Sequence, residues 1–401
     1  MKAKISFRAR WVLPMDSPPL DGGVITIAGG RIASVGRQAT HSGPVEDLGD
    51  VVLMPGLVNA HTHWEFSQLQ QPLGTPGMTL PEWIRLVIAE RNRSGRDAAA
   101  AIALGRQESL RQGVTTVGEI ATAPPTAYQT EHAPQLIAFQ EVIGFSAART
   151  TSVMADAEQR LENCGASVRL GVSPHAPYTV HPQLFAQLVE LAIAKKIPVA
   201  MHLAESREEL QLLASNDGPL RDLLEERSMW DAEAIVPGSR PLDYLKVLSL
   251  ARRALVIHGN YLEPDEIRFL AEHRERMTVV YCPRTHAFFG HPPYPLQEML
   301  AAGVRVVLGT DSRASNPDLS LLDEMRYVYS HYSGIRAEDV LAMGMSASAS
   351  ALGLDKEVGT ITPGKQANLI TVPCNVHSSP AEDILQSDNF LSGTWLQGKL
   401  A

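Results

Sequence analysis

Pro198-Val199-Ala200-Met201-His202 is apolar until its last residue, and Leu255-Val256-Ile257-His258 repeats the pattern. A strand that is apolar on both faces is buried on both faces, as in a parallel sheet covered by helices. A polar C-terminal tip marks the end at which such sheets carry their sites. From about residue 114 onward, short β-rich segments alternate with longer Ala-, Leu- and Glu-rich ones. The strand candidates are Val114–Glu119, Leu136–Ile143, Val168–Val172, Ile197–His202, Ala254–His258, Thr278–Cys282 and Val304–Leu308. The apolar run Val51–Ala60 makes eight. This order predicts an α/β chain folded as a (β/α)8 TIM-like barrel.

The two ends of the chain read differently. Gly22-Gly23-Val24-Ile25-Thr26-Ile27-Ala28-Gly29-Gly30-Arg31-Ile32 suggests two short antiparallel strands around a glycine turn. After about Asp355, Gly359, Pro363 and Gly364 space short strands that include Asn368–Val372. Residues 1–52 and 355–401 are therefore expected to meet in a small β-sandwich domain, leaving 53–354 to the barrel.

With 401 residues, 44% of them hydrophobic and 20% charged, the chain can bury a large core. A formal charge of -9 and 35 scattered Lys and Arg offer no basic surface to nucleic acid or anionic lipid. A small-molecule substrate is the expected partner, and a homodimer is the base-rate expectation for assembly. Cys164, Cys282 and Cys374 are too few and too scattered for a disulfide framework or a cysteine zinc site, which fits a reducing cytoplasm. Prolines interrupt the first apolar stretch before a signal-peptide core can form, and no run reaches the roughly 18 apolar residues of a membrane helix.

The chemistry begins at His61-Thr62-His63, which follows Met54-Pro55-Gly56-Leu57-Val58-Asn59-Ala60. On a strand, residues i and i+2 point to one side, so both imidazoles can converge on one ion. Three more strand-end signals follow in order: His202, His258, and Asp311 after Leu308-Gly309-Thr310. One such histidine is readily a satisfied core residue, but the series offers the imidazole and carboxylate mixture of an open metal site. Glu205 lies just past the His202 strand. Ser206-Arg207-Glu208-Glu209 suggests a capping box whose carboxylate is Glu209, which leaves Glu205 free to carry protons.

Taken together, Pro55-Gly56-Leu57-Val58-Asn59-Ala60-His61-Thr62-His63, His202-Leu203-Ala204-Glu205, His258 and Gly309-Thr310-Asp311-Ser312 resemble the amidohydrolase superfamily. The resemblance is to the branch of nucleoside, cytosine and triazine deaminases and chlorohydrolases, and it spans essentially the whole chain. It implies that His61, His63, His202 and Asp311 hold one divalent metal, zinc or alternatively iron or manganese. It also implies that Glu205 shuttles protons, that His258 polarises the attacking hydroxide, and that Asp311 helps ammonia leave. Binuclear relatives carry a bridging lysine at the end of the fourth strand, whereas Val172-Ser173-Pro174-His175 stands there; Lys195 and Lys196 sit at the wrong end of the next strand. A mononuclear site is expected.

Strand ends not used by the metal should face the substrate. They include Glu65, Glu119, Glu141, His175 and His286. Ser173-Pro174-His175-Ala176-Pro177-Tyr178 resembles the segment through which nucleoside deaminases of this branch reach the sugar. Glu119 and Glu141 read equally well as structural ion pairs at the barrel mouth. His63-Trp64-Glu65-Phe66-Ser67 with Leu80-Pro81-Glu82-Trp83-Ile84 resembles bacterial aminodeoxyfutalosine deaminases of menaquinone biosynthesis, whose substrate is an adenine nucleoside extended by a carboxyphenyl ketone. Trp83 reads either as a substrate contact or as core packing. The aromatic and basic loop from Tyr281 to His291 would either cover the far end of the substrate or meet a neighbouring subunit. The alternatives are deamination of S-adenosylhomocysteine or methylthioadenosine, amino- or chlorohydrolysis of a triazine, cyclic amide hydrolysis, and a catalytically dead barrel used for protein interaction.

Overall fold

The computed structural model describes residues 4–40, 43–95, 97–130, 134–162, 168–375 and 379–401. Eight parallel strands follow one another around a barrel: β1 (Leu57–Thr62), β2 (Val114–Ala121), β3 (Gln135–Val142), β4 (Arg169–Pro174), β5 (Val199–Leu203), β6 (Ala254–His258), β7 (Met277–Tyr281) and β8 (Val306–Leu308). Each pairs with its sequence neighbour. The barrel closes just past β8, where Thr62 bridges Asp311 and the His61 carbonyl accepts from the amides of Thr310 and Asp311 at 3.1 and 3.2 Å. The first and last strands of the sheet therefore meet at the chemistry-bearing residues.

Val58, Ile120, Ile137, Phe139, Leu255, Ile257, Val280 and Val307 fill the interior, and helix Ser346–Ala351 packs against them through Ala349 and Ala351. The opposite strand faces, such as Val117, Ala138, Val199 and Val256, join the larger cluster with the helices. Burial on both sides is what the uniformly apolar strands required.

The chain ends build two further sheets. One orders the strands Arg31–Gly36, Val24–Ala28, Lys4–Arg8 and Val45–Asp47; Gly29 and Gly30, at φ 60° and 78°, form the expected glycine turn. The other orders Lys399–Leu400, Gly393–Leu396, Leu369–Pro373, Val51–Pro55, Trp11–Val12 and Leu20–Asp21. Phe7, Ile25, Ile27, Leu53, Leu369 and Trp395 share one core, so both termini contribute.

One expectation is corrected. Val51–Ala60 is two strands rather than one. Val51–Pro55 pairs with Leu369–Pro373 in the terminal sheet, and only Leu57 onward joins the barrel. The change of sheet falls at Gly56, where a Cβ would collide with the Thr115 side chain. Among the described residues no helix is long and apolar enough to cross a membrane. Cys282 and Cys374 are buried, and Cys164 lies outside the described residues.

Candidate active site

His61 and His63 leave β1 with ring centroids 4.8 Å apart. His202 near the end of β5 brings its ring to 5.0 Å from His61 and 5.4 Å from His63. Asp311 completes the group, with Oδ1 3.7 Å from Nε2 of both His61 and His63. Each of these residues is buried. Donor atoms of His61, His63 and Asp311 lie within 4.8 Å of one another, and so do those of His61, His202 and His258. The second grouping shows that His258, expected as a catalytic group, also stands within ligand range.

Local structure fixes these side chains. His202 Nδ1 bonds the His175 carbonyl at 3.0 Å, which turns Nε2 toward the centre, the arrangement in which the outer nitrogen sets the orientation of a ligating imidazole. Asp311 is held by Ser315 Oγ on Oδ2 at 3.2 Å, while its carbonyl accepts from Thr62 Oγ1 at 2.8 Å. Asn59 bonds Thr310 Oγ1 at 2.8 Å and so ties β1 to the same segment.

The donor set fits a divalent ion. His61 is fully buried, yet neither ring nitrogen has a hydrogen-bond partner, and His63 Nδ1 is likewise without one. Buried polar atoms are normally satisfied, and an orphaned nitrogen on an inaccessible imidazole that faces other donor atoms fits a ligand position. Burial pushes the imidazoles of His63 and His202 well below their ordinary range and that of His258 down to about 3, so the rings offer lone pairs at neutral pH. Burial pushes the Asp311 carboxyl up, but the imidazoles of His61, His63 and His258 outweigh it and keep the group ionised.

Glu205 enters from the β5 end. Ser206 Oγ accepts the Glu209 amide at 3.2 Å, as a capping residue should, but the Glu209 carboxylate takes the amides of Ala204 and Glu205, at 2.8 and 2.9 Å. This grip, with Ala204 at φ 53°, turns Glu205 inward. Its Oε1 is 3.4 Å from His258 Nε2 and its Oε2 is 3.5 Å from the Tyr178 hydroxyl. Burial and then the Asp311 charge raise its pKa well above the ordinary value.

A cleft of about 220 Å³ opens over these groups. His63, His175, His202, Glu205, His258 and Asp311 border its floor. Helix Leu80–Arg91 supplies one wall through Trp83, Ile84 and Val87, and helix Pro219–Glu226 another through Leu220, Leu223 and Leu224. Of the residues expected to touch substrate, His175 and Trp83 border the cleft. The His175 ring is 4.9 Å from His202, with Nδ1 on Thr179 Oγ1 at 2.8 Å. Trp83 borders the cleft and is also packed: its Nε1 bonds the Ala314 carbonyl at 3.0 Å and its edge meets Phe289 at 5.4 Å. That contact also packs the Tyr281–His291 loop on the first loop, where Gly77 donates to the Phe288 carbonyl at 2.7 Å.

Glu65, Glu141 and His286 are not among the residues bordering the cleft. Glu65 and Glu141 lie behind Arg91, at 2.6 and 3.6 Å from its guanidinium. Helix Pro283–Phe288 begins directly after Cys282 and places His286 in edge-on contacts with Tyr281 and Tyr294, at 5.7 and 5.6 Å. Glu119 accepts the Trp64 amide at 2.9 and 3.1 Å and is not among the residues bordering the cleft. Sequence reasoning missed Arg91, whose only signal is its place on the helix that begins at Leu80, and it quoted Tyr178 only as part of the β4 segment.

Residues 52–401 match the amidohydrolase family. A 5-methylthioadenosine/S-adenosylhomocysteine deaminase of Moorella thermoacetica is 29% identical over 405 residues, 95% of this chain and 88% of the relative. An aminodeoxyfutalosine deaminase of Deinococcus radiodurans is 32% identical over 346 residues, 78% of this chain and 77% of the relative. The crystal structure of Helicobacter pylori aminofutalosine deaminase shares the fold, with a TM-score of 0.83 across 100% of both chains at 20% identity. A match that runs from the strand before His61 to the last residue takes in the whole barrel and its histidine–aspartate centre: this chain belongs to the amidohydrolase family.

Proposed function

We propose that this amidohydrolase hydrolytically deaminates an adenine nucleoside, replacing its 6-amino group by oxygen with release of ammonia. The observation that carries the reading is the buried Glu205 carboxyl, 3.4 Å from His258 at the floor of an apolar cleft and beside the histidine–aspartate set. Deamination of a cyclic amidine requires one proton on a ring nitrogen and another on the departing amine. A carboxyl group within hydrogen-bond reach of the reacting atoms delivers such protons.

In this reading Glu205 carries the ring proton, steadied by the Tyr178 hydroxyl. His258 is anchored through its carbonyl by Tyr294 at 2.8 Å and presents its imidazole to the oxygen nucleophile. Asp311 receives a proton and passes it to the leaving ammonia. His61, His63, His202 and Asp311 would hold one divalent ion, which when bound would supply Lewis acidity, lowering the pKa of water toward about 7 and stabilising developing negative charge. Zinc is the ion assigned, because three imidazoles and a carboxylate suit it, with iron or manganese as alternatives. One ion rather than two is supported by Ser173 and Pro174 closing β4, and by the absence of lysine among the described residues that border the cleft. His175 and Trp83 contact the nucleoside. Glu65 and Glu141 are positioning residues that act through Arg91.

Aminodeoxyfutalosine is the substrate we assign, supported by the Deinococcus relative and by apolar walls able to receive an aromatic arm. Deamination of methylthioadenosine or S-adenosylhomocysteine is the second reading, favoured by the Moorella relative. Ammonia release from metal-replete enzyme on these three compounds and adenosine tests both. The highest kcat/KM is expected on aminodeoxyfutalosine. Preference for either sulfur nucleoside moves the assignment, and no release from any of the four rejects deamination of adenine nucleosides.

A further inference from the structure

Among the described residues two arginines, Arg91 and Arg227, border the cleft, and their surroundings differ. Arg91 is already compensated, with Glu65 and Glu141 both within ion-pair range. That group as a whole carries an excess of one negative charge and has nothing to offer an anion. Arg227 lies just past the other wall helix, exposed to solvent and bordering the cleft. Among the described residues no carboxylate lies within ion-pair distance of it. Its chain neighbour Glu226 is taken by Arg85, which forks both nitrogens onto it at 3.0 and 2.8 Å and ties the two wall helices together. The walls of the same cleft are apolar, through Val87, Leu223 and Leu224. Among the described residues, the only carboxylates bordering the cleft are Glu205 and Asp311, at the floor.

An apolar slot with a cation left uncompensated at its outer end is complementary to a ligand whose apolar arm ends in an anion. Arg offers a planar fork that matches a carboxylate with two parallel hydrogen bonds. A zwitterionic arm is matched less well, because its ammonium finds no acid at that end. Resting on the adenine-nucleoside reading above, we infer that Arg227 is the specificity-determining residue that receives a carboxylate at the far end of the substrate's extension. It favours an anionic arm over a zwitterionic or uncharged one.

The test compares wild type, Arg227→Met and Arg227→Lys on aminodeoxyfutalosine, whose arm ends in a carboxylate, and on methylthioadenosine, whose arm ends in a methyl group. A hydrogen bond to a charged group in a partly dry site corresponds to about 10- to 100-fold. Arg227→Met is expected to raise KM for aminodeoxyfutalosine by that factor while kcat changes less than about twofold. The loss should be confined to the carboxylate-bearing substrate, shrink as salt is raised, and be partly recovered by lysine. Equal losses on both compounds, or none on either, overturn the inference while leaving deamination intact. Failure of the wild type on every nucleoside overturns both together.

Discussion

Replacing Gly309 by alanine probes how barrel closure sets the metal centre. A Cβ at this position would stand 2.9 Å from both Cβ and the carbonyl oxygen of His61, and 3.0 Å from Cγ1 of Val280. Carbon contacts are comfortable at about 3.5–4.0 Å, so β1 must retreat by roughly half an ångström or more. Overpacking of this kind costs about 1–3 kcal/mol. For a chain of 401 residues, with an unfolding entropy of about 2.1 cal/mol/K per residue, that corresponds to a fall in Tm of about 1–4 °C. The same His61 carbonyl accepts the amides of Thr310 and Asp311, so the retreat moves two of the proposed ligands at once.

Disturbing the support of a ligand typically weakens metal binding about 10- to 100-fold. Chelator competition and elemental analysis should show that loss in Gly309→Ala, and calorimetry the fall in Tm. Gly36→Ala is the control, since a Cβ there meets nothing within 4 Å and should leave metal affinity and Tm essentially unchanged. Wild-type metal affinity and Tm in Gly309→Ala would refute the argument that the closing strand fixes His61.

Glu205→Gln should retain the metal while kcat falls about 10²- to 10⁴-fold, read by parallel metal analysis and ammonia release; near-normal turnover removes Glu205 from the chemistry. His61→Ala and His63→Ala should each lower metal content as well as rate, and full occupancy in either rejects that ligand. Arg91→Met strands two buried carboxylates, and breaking such a pair costs about 3 kcal/mol, the low end of the range because the guanidinium is partly exposed. Urea denaturation should show that loss and its partial recovery in Arg91→Met/Glu65→Gln; no recovery would mean the carboxylates are not the source of the penalty.

The barrel could be read from the sequence because burial on both faces leaves a mark no other strand leaves: Val199–His202 and Leu255–His258 have no polar residue until the tip. The change of sheet at Gly56 left no such mark. Val51–Ala60 is apolar throughout, and either sheet buries it equally well, so only strand pairing separates the halves. His61, His63, His202 and Asp311 could be picked out because spacing of two on a strand, or the position at a strand tip, determines where a side chain emerges. His286 shows the limit of that logic. Pro283 opens a helix directly after β7, and once the backbone leaves strand geometry, sequence distance from the tip no longer predicts direction. Arg91 was hidden for a related reason: its place in the cleft is set by the packing of a helix whose residue types are compatible with a solvent face.

The deeper reason the site exceeds what alternation predicts lies in the backbone. On β6, Leu255 and Ile257 face the barrel interior and Val256 the helices, so strict alternation sends His258 outward. Its ring instead lies 5.5 Å from His202 and 5.8 Å from His61. The departure coincides with φ 68° at His258, a left-handed conformation that is unusual outside glycine. Ala204, just before Glu205, and Asp311 adopt φ 53° and 54°. Three left-handed residues at the tips of β5, β6 and β8 are each energetically unfavourable, by about 1–3 kcal/mol, and such residues persist where the surroundings over-determine them. The surroundings here are identifiable. Glu209 grips the amide of Ala204, Tyr294 holds the carbonyl of His258, and Thr62 holds that of Asp311. None of these three partners borders the cleft, yet each fixes a turn that aims a group into it. The site's geometry is therefore set as much by this outer ring of hydrogen bonds as by the residues that line the floor.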